Sequence, residues 1–324
     1  MITSQAMQSI PVKNTVPTYP KTVILETTNL CNLKCKMCHV WGEDVVKRRQ
    51  TGFIPETVWK RAIDELATWD TNVNLALHGA GEALLHKDFL DILAYAASKK
   101  NLTVGFLSNG ALLSQKTADA IMATDIAWLG FSVDGADAEK YRKYRGADLK
   151  KVESAIEHLI SLRKGTKPSL FVNMVALPDL DADEYIRRWI DMVDEVRISK
   201  YRPIGHRDFL TEKIKRVPCH LLDEMLVIAW DGQAVLCCED IWAEVPIGHF
   251  PEQSLLDLWH SPRLTMMRQL HLEERYNDIS ICADCDSWSN IFSSVELRES
   301  ENLKLTKCSA QTTYQRINKP SRHE

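Results

Sequence analysis

From Thr22 to Tyr201 short apolar runs alternate with stretches whose apolar residues recur at helical spacing. The runs Val23 to Glu26, Val73 to Leu77, Thr103 to Leu107, Ala127 to Val133, Ser169 to Leu177 and Val196 to Tyr201 have the length of buried strands. Between them, Pro55 opens a helix with a buried stripe at Val58, Ala62, Ile63 and Leu66. Further helices read from Lys87 to Lys100, from a Ser114 cap to about Ala123, near Leu149 to Leu162, and from about Ala182 to Val193. Such alternation implies a parallel sheet with right-handed crossovers, and six strands imply a curved, incompletely closed barrel. Reactive groups in barrels of this kind sit at the C-terminal ends of the strands.

After Pro203 the alternation stops. Leu226 to Ala229, a turn at Asp231-Gly232 and Ala234 to Leu236 form a hairpin that runs into Cys237-Cys238. Two short helices follow, capped by Ser254 and Ser261. The expected division is therefore an extended arm over 1–20 with Pro11, Pro17 and Pro20, a barrel over 21–205, a small Cys-rich α+β domain over 206–311 and a polar tail over 312–324.

Composition narrows the functional classes. The chain has 324 residues and a net charge of -4 with acids and bases interspersed, so no basic surface calls for nucleic acid or an anionic membrane. Its apolar runs fall short of the ~18 residues of a membrane span, and the N-terminus lacks the regions of a signal peptide, so a cytoplasmic location is expected. Nine cysteines in a reducing compartment read as ligands or reactive thiols rather than disulfides.

Cys31, Cys35 and Cys38 lie on the loop after the first strand, in the run Cys-Asn-Leu-Lys-Cys-Lys-Met-Cys. Thiolates suit iron–sulfur clusters, and three of them leave one iron of a four-iron cluster open to a substrate or cofactor. Read alone, the triplet also fits buried small hydrophobes or part of a zinc site. Three later strand ends carry polar turns: His78-Gly79-Ala80-Gly81-Glu82, Ser108-Asn109-Gly110 and Ser132-Val133-Asp134-Gly135. Arg145 is close enough in sequence to Ser132 to return and pair with a carboxylate. The solitary histidines His39, His78 and His220 give no metal-ligand spacing and read as core or surface residues.

The cysteine triplet and these turns resemble the radical S-adenosylmethionine superfamily. The resemblance implies that Cys31, Cys35 and Cys38 hold a [4Fe–4S] cluster whose open iron binds S-adenosylmethionine. Gly81 and Glu82 match the element that binds the methionine amino group, and Ser108, Asn109, Ser132 and Arg145 match groups that contact its ribose and carboxylate. The C-terminal spacing, with Cys219, Gly232 and Cys237 followed by Cys282-Ala283-Asp284-Cys285, resembles the SPASM/twitch extension of that superfamily. No cysteine occurs from Asp286 to Ile291, which implies the twitch form: one auxiliary [4Fe–4S] cluster on Cys219, Cys237, Cys282 and Cys285, with Cys308 left over. Four thiolates are equally a structural zinc set, and spacing alone does not separate the metals.

The fold expected is α/β: a partial (β/α)6 TIM-like barrel followed by a small Cys-rich α+β twitch/SPASM domain. The resemblance implies hydrogen abstraction by a 5'-deoxyadenosyl radical. Loss of an electron to the second cluster and of a proton to a base gives dehydrogenation, with Glu239 and Asp240 as candidate bases. Return of a hydrogen atom from a thiol gives epimerisation, and Cys238 is the candidate donor because strand side chains alternate faces. The arm is too short for an added peptide-binding module, which favours a small polar metabolite such as a sugar or aminocyclitol over a peptide. An external one-electron donor such as flavodoxin or ferredoxin is implied. The competing readings are a peptide- or protein-modifying maturase and a non-catalytic metal-binding protein. A simple methyltransferase lacks the Gly-rich fingerprint after the first strand.

Overall fold

The structure, a computed structural model, describes residues 16–42, 45–46, 48–201 and 215–318. The boundary expected at 205/206, most of the N-terminal arm and the last six residues lie outside the described residues.

Strands β1 (Thr22–Leu25), β2 (Val73–Ala76), β3 (Leu102–Ser108), β4 (Trp128–Ser132), β5 (Ser169–Ala176) and β6 (Glu195–Lys200) pair in parallel in chain order. Helices α1 (Glu56–Ala67), α2 (Phe89–Ala97), α3 (Gln115–Met122), α4 (Ala138–Arg145), α5 (Leu149–Leu162) and α6 (Ala182–Trp189) supply the crossovers. Strand alternation sorts the core. Val23, Leu25, Val73 and Leu75 are buried with the helical stripe Val58, Ala62, Ile63 and Leu66, whereas Ile24 and Ala76 form a second apolar cluster on the other face with Val227 and Val235.

Local signals set the helix ends. Ser114 accepts a hydrogen bond from the Thr117 amide at the start of α3. Helix α4 has no counterpart in the sequence reading, because its apolar content is too small for a stripe: Tyr141 is its buried apolar side chain. Instead it is bounded by the Asp137 cap and by Gly146 in the left-handed conformation at φ 71°.

β1 and β6 do not pair with each other, and the sheet continues past both. At one end β7 (Met225–Ile228) runs parallel to β1, followed by antiparallel β8 (Gln233–Val235) and β9 (Pro246–His249). Gly232, at φ 92°, makes the β7–β8 turn; an added Cβ would meet Phe250 O at 2.1 Å. Helices α7 (Leu255–Trp259) and α8 (Pro262–Leu272) start at Ser254 and Ser261, each accepting a backbone hydrogen bond.

The last segment departs from expectation. Strands β10 (Ser294–Arg298), β11 (Leu303–Lys307) and β12 (Gln311–Arg316) form an antiparallel meander, and β12 pairs with β6 from Gln311↔Ser199 to Tyr314↔Val196. The residues from Thr312 to Arg316 are therefore a sheet strand rather than a tail, and the meander extends the barrel's far edge rather than the Cys-rich region. Both faces of β12 are half-buried, so its sequence lacks the apolar alternation that marks a strand with one face in a core.

Candidate active site

Beyond β1 the chain makes a long loop that carries the first three cysteines. The returning segment closes it: Ile54 N donates to Thr27 O at 2.9 Å, Thr28 Oγ1 to Gly52 O at 2.6 Å and Asn29 Nδ2 to Gln50 O at 2.8 Å. On the other side Lys36 N donates to Tyr144 O at 2.9 Å, tying the loop to the end of α4. Donors approach each thiol. Asn109 Nδ2 lies 3.9 Å from Cys31 Sγ, Arg145 Nη1 lies 3.8 Å from Cys35 Sγ, and the amides of Val40 and Trp41 lie 3.4 and 3.2 Å from Cys38 Sγ. Burial pushes the Cys31 thiol up to about 11, with the negative neighbours Glu82, Cys35 and Cys38 adding to it; coordination ionises such a thiol outright.

The strand-end residues converge beside this loop. Glu82 N donates to Leu30 O at 2.7 Å, so the β2 turn sits on the cysteine loop. The buried Glu82 carboxylate accepts from Ser108 Oγ at 2.8 Å and from Asn109 N at 2.7 Å, joining the ends of β2 and β3. Burial raises its pKa despite these hydrogen bonds. Gly81 is required by close approach: an added Cβ would meet Leu30 O at 2.3 Å and Thr28 O at 2.6 Å. Ser132 ends β4 half-buried, between Phe131 and Val133 of the main core, and so faces the opposite side of the sheet.

Arg145 does pair with a carboxylate, but one supplied by the chain. Its Nε donates to Asp134, a fully buried residue whose other oxygen accepts from Val175 N at 2.6 Å. Asp134 was visible in the sequence only as part of a polar turn. The buried Glu26 and the half-buried Arg49 form a second pair that sequence reading missed: Glu26 accepts from Arg49, Ala80 N and Trp230 N, and Arg49 also donates to Ile241 O at 3.2 Å. The available signal was a carboxylate ending an otherwise apolar strand.

The second set of thiols surrounds one cavity, lined by Cys219, Cys237, Cys282 and Cys285 together with Glu239 and Trp288. Desolvation raises Cys219 to about 12. Cys282 N and Cys285 N donate to Ile279 O and Cys282 O at 2.9 and 3.1 Å, a tight turn that presents both side chains. Cys238 does not line this cavity; it lines a neighbouring one at the ends of β1 and β2, with Glu26, Arg49, His78 and Asp240. Cys237 borders both. Cys308 stands apart, at the turn into β12, where its amide donates to Gln311 O at 2.9 Å. Asp240 accepts from Glu244 N and Val245 N at 2.8 and 2.9 Å, and Glu239 accepts from Ser287 Oγ at 2.7 Å. Both candidate bases thus have hydrogen-bond donors already at their carboxylates.

The residues present fit iron–sulfur clusters and S-adenosylmethionine. Three thiols with N–H groups directed at each sulfur form a soft donor set beside a buried carboxylate and a buried guanidinium. Among the described residues no three His, Cys, Asp or Glu side chains close on a single metal ion, and the four later thiols line one small cavity.

Comparison with known proteins agrees with this geometry. The family model "Radical SAM superfamily" matches residues 25–191, and the SPASM model, "Iron-sulfur cluster-binding domain", matches residues 219–286. The chain is 22% identical to an S-adenosyl-L-methionine-dependent 2-deoxy-scyllo-inosamine dehydrogenase of Niallia circulans, over 82% of this chain and 92% of that protein. It is 31% identical to a probable GTP 3',8-cyclase of Methanosarcina mazei over 56% of this chain, and spans only 52% of that relative's length. Among solved structures, BtrN in complex with AdoMet and 2-DOIA superposes with a TM-score of 0.57 at 18% identity, covering 83% of this chain and 93% of BtrN. Streptococcus suis SuiB bound to its precursor peptide SuiA gives 0.66 at 13% identity, covering 85% and 73%. No helix among the described residues is long and apolar enough to cross a membrane. The chain belongs to the radical SAM superfamily and carries a C-terminal SPASM iron–sulfur cluster-binding domain.

Proposed function

We propose that this enzyme oxidises a small polar metabolite, such as a sugar or aminocyclitol, held between its two cysteine sets. In this reading Cys31, Cys35 and Cys38 hold the [4Fe–4S] cluster that binds S-adenosylmethionine, and Gly81, Glu82, Ser108, Asn109, Ser132 and Arg145 surround that cofactor. Cys219, Cys237, Cys282 and Cys285 hold one auxiliary [4Fe–4S] cluster, and an external one-electron donor such as flavodoxin or ferredoxin serves the system. When bound, S-adenosylmethionine supplies a hydrogen-abstracting 5'-deoxyadenosyl radical and the auxiliary cluster supplies an electron acceptor.

The chain's own groups orient and enclose. Glu82 joins two strand ends through Ser108 and Asn109, while Asp134 fixes the guanidinium of Arg145 beside Cys35. The apolar side chains Ile24, Val227 and Val235 line the neighbouring cavity and limit water there. The observation that carries the reading is the Cys237–Cys238 step: Cys237 borders both cavities, bringing the second thiol set against the ends of β1 and β2. The dehydrogenase relative, matched over most of its length, supports oxidation of a small metabolite. Epimerisation is the second reading, favoured by Cys238 lining the same cavity.

The test is anaerobic reconstitution of the wild type and of the Cys31→Ala/Cys35→Ala/Cys38→Ala variant. About eight irons per chain should fall to about four, and dithionite-driven release of 5'-deoxyadenosine should be abolished. Zinc in place of iron, or release that survives loss of the three thiols, would sink the proposal.

A further inference from the structure

The cavity at the ends of β1 and β2 has a volume of about 200 Å³, below the roughly 300–1,000 Å³ of pockets that take drug-sized ligands. It has room for a single small ring. Its apolar side comes from Ile24, Val227 and Val235, and its polar side from Glu26, Arg49, His78 and Asp240, with Cys238 between.

Most of these polar groups are engaged. Glu26 Oε1 accepts from Ala80 N at 2.9 Å, and Oε2 accepts from Trp230 N at 3.1 Å and from Arg49. Arg49 also donates to Ile241 O at 3.2 Å. Both Asp240 oxygens accept from backbone amides. Among the described lining residues, the one guanidinium is therefore paired with Glu26 and the carboxylates face it or the backbone, which leaves an anionic ligand without a dedicated counter-charge.

His78 differs. Its Nδ1 is buried and has no hydrogen-bond partner, and burial lowers its pKa to about 4, so the imidazole is neutral. Trp128 meets the ring edge-on at 5.9 Å between centroids, and Trp128 is itself held by a hydrogen bond from Nε1 to Asn74 Oδ1 at 3.0 Å. Nδ1 is sealed from the cavity, but the residue as a whole is half-buried and lines it, so the hydrogen-bonding atom that a ligand there can reach is Nε2.

We propose that His78 selects the substrate, hydrogen-bonding through Nε2 to a hydroxyl of a single-ring polyol, with or without an amino group, that carries no phosphate or carboxylate. This rests on the reading of the chain as an enzyme of small polar metabolites. A site built to bind a hydroxyl rejects analogues that lack it far more strongly than an apolar pocket rejects a missing methylene.

The experiment uses the reconstituted holoprotein with S-adenosylmethionine and measures binding of scyllo-inositol, 2-deoxy-scyllo-inosamine, glucose and glucose 6-phosphate by calorimetry. At least one of the three phosphate-free rings should bind, and glucose 6-phosphate should not. His78→Phe should weaken that binding by about tenfold or more, and His78→Asn, which restores a hydrogen-bonding group, should recover most of it. If His78→Phe does not fold, deoxy analogues of the bound ring replace it on the wild type, and one of them should lose a similar factor. Binding by none of the three rings, preferential binding of the phosphate, or equal affinity in wild type and His78→Phe overturns the proposal. Dithionite-driven 5'-deoxyadenosine release by the wild type is scored separately, so failure of the radical reading is distinguishable from failure of this one.

Discussion

Arg145 reaches Cys35 from the end of α4: its Nη1 lies 3.8 Å from the sulfur while its Nε is held by Asp134. The guanidinium thus joins the α4 terminus, the turn after β4 and the cysteine loop. Cys35 and Tyr141, both buried, lie in the same neighbourhood and act electrostatically on it. With the proposed cluster bound, a positive group at this place would offset the negative charge that three thiolate ligands bring together.

Arg145→Leu should therefore destabilise the apoprotein, because it leaves Asp134 fully buried without its counter-ion. Breaking one side of a buried pair costs about 3–5 kcal/mol. Arg145→Lys keeps the charge but loses the planar fork, so it should fall between wild type and Arg145→Leu. Thermal melts of the metal-free variants test this. Equal melting temperatures for Arg145→Leu and wild type would contradict the paired role.

Gly81→Ala should disturb the site without touching any thiol. The added Cβ would meet the carbonyl oxygens of Leu30 and Thr28 at 2.3 and 2.6 Å, and these are backbone atoms of the cysteine loop. Relief requires the turn to move off the loop, which breaks the hydrogen bond from Glu82 N to Leu30 O. Overpacking of this kind costs about 1–3 kcal/mol, and displacement of Glu82 should weaken S-adenosylmethionine binding. Gly146→Ala is the contrast. An added Cβ there meets nothing within 4 Å, so only the strain of φ 71° remains, about 1–2 kcal/mol. Calorimetry with S-adenosylmethionine on both reconstituted variants separates the two: Gly81→Ala should lose affinity and Gly146→Ala should lose stability alone.

How far the sequence reaches is visible element by element. Helix α5 runs from Leu149 to Leu162 as its stripe predicts, and the Ser114, Ser254 and Ser261 caps lie where expected. Those signals are local. The partnership of β7 with β1, which carries the auxiliary region to the barrel's edge, joins residues about two hundred positions apart, from Thr22↔Met225 to Leu25↔Ile228, and no local pattern announces it. The Asp134–Arg145 and Glu26–Arg49 pairs were missed for the same reason. A buried carboxylate looks like any turn or strand-end acid until its cation is placed beside it. Strand β12 escaped because its Thr, Gln and Tyr side chains are half-buried on both faces.

The number of auxiliary clusters rests on which thiols share a cavity. Cys282 lines the four-thiol cavity, whereas Cys308 lies at the β11–β12 turn. Cys282→Ala should lose about four irons per chain after reconstitution, and Cys308→Ser should lose none. Iron and sulfide analysis of the two variants decides it. Loss of iron from Cys308→Ser would make that thiol a ligand and would reopen the count.

Cys238 separates oxidation from epimerisation, because the two outcomes differ in what fills the substrate radical's vacant position. The residue lines the cavity at the ends of β1 and β2 and not the four-thiol cavity, whereas its neighbour Cys237 lines both. A thiol exchanges its proton with solvent. If Cys238 returns a hydrogen atom, turnover in deuterium oxide places one deuterium at the inverted carbon of the product, and Cys238→Ala abolishes inversion. Under oxidation the substrate radical loses an electron and a proton, so the product is a carbonyl with no solvent deuterium at that carbon and no hydrogen atom is taken from the thiol. Cys238→Ala should then reduce turnover only modestly, by about the packing loss of one small buried side chain. Mass spectrometry of the product of the accepted ring substrate, from wild type and Cys238→Ala in deuterium oxide, reads both. Carbonyl product from both proteins establishes the dehydrogenase, and deuterated, inverted product that disappears with the thiol establishes the epimerase in its place.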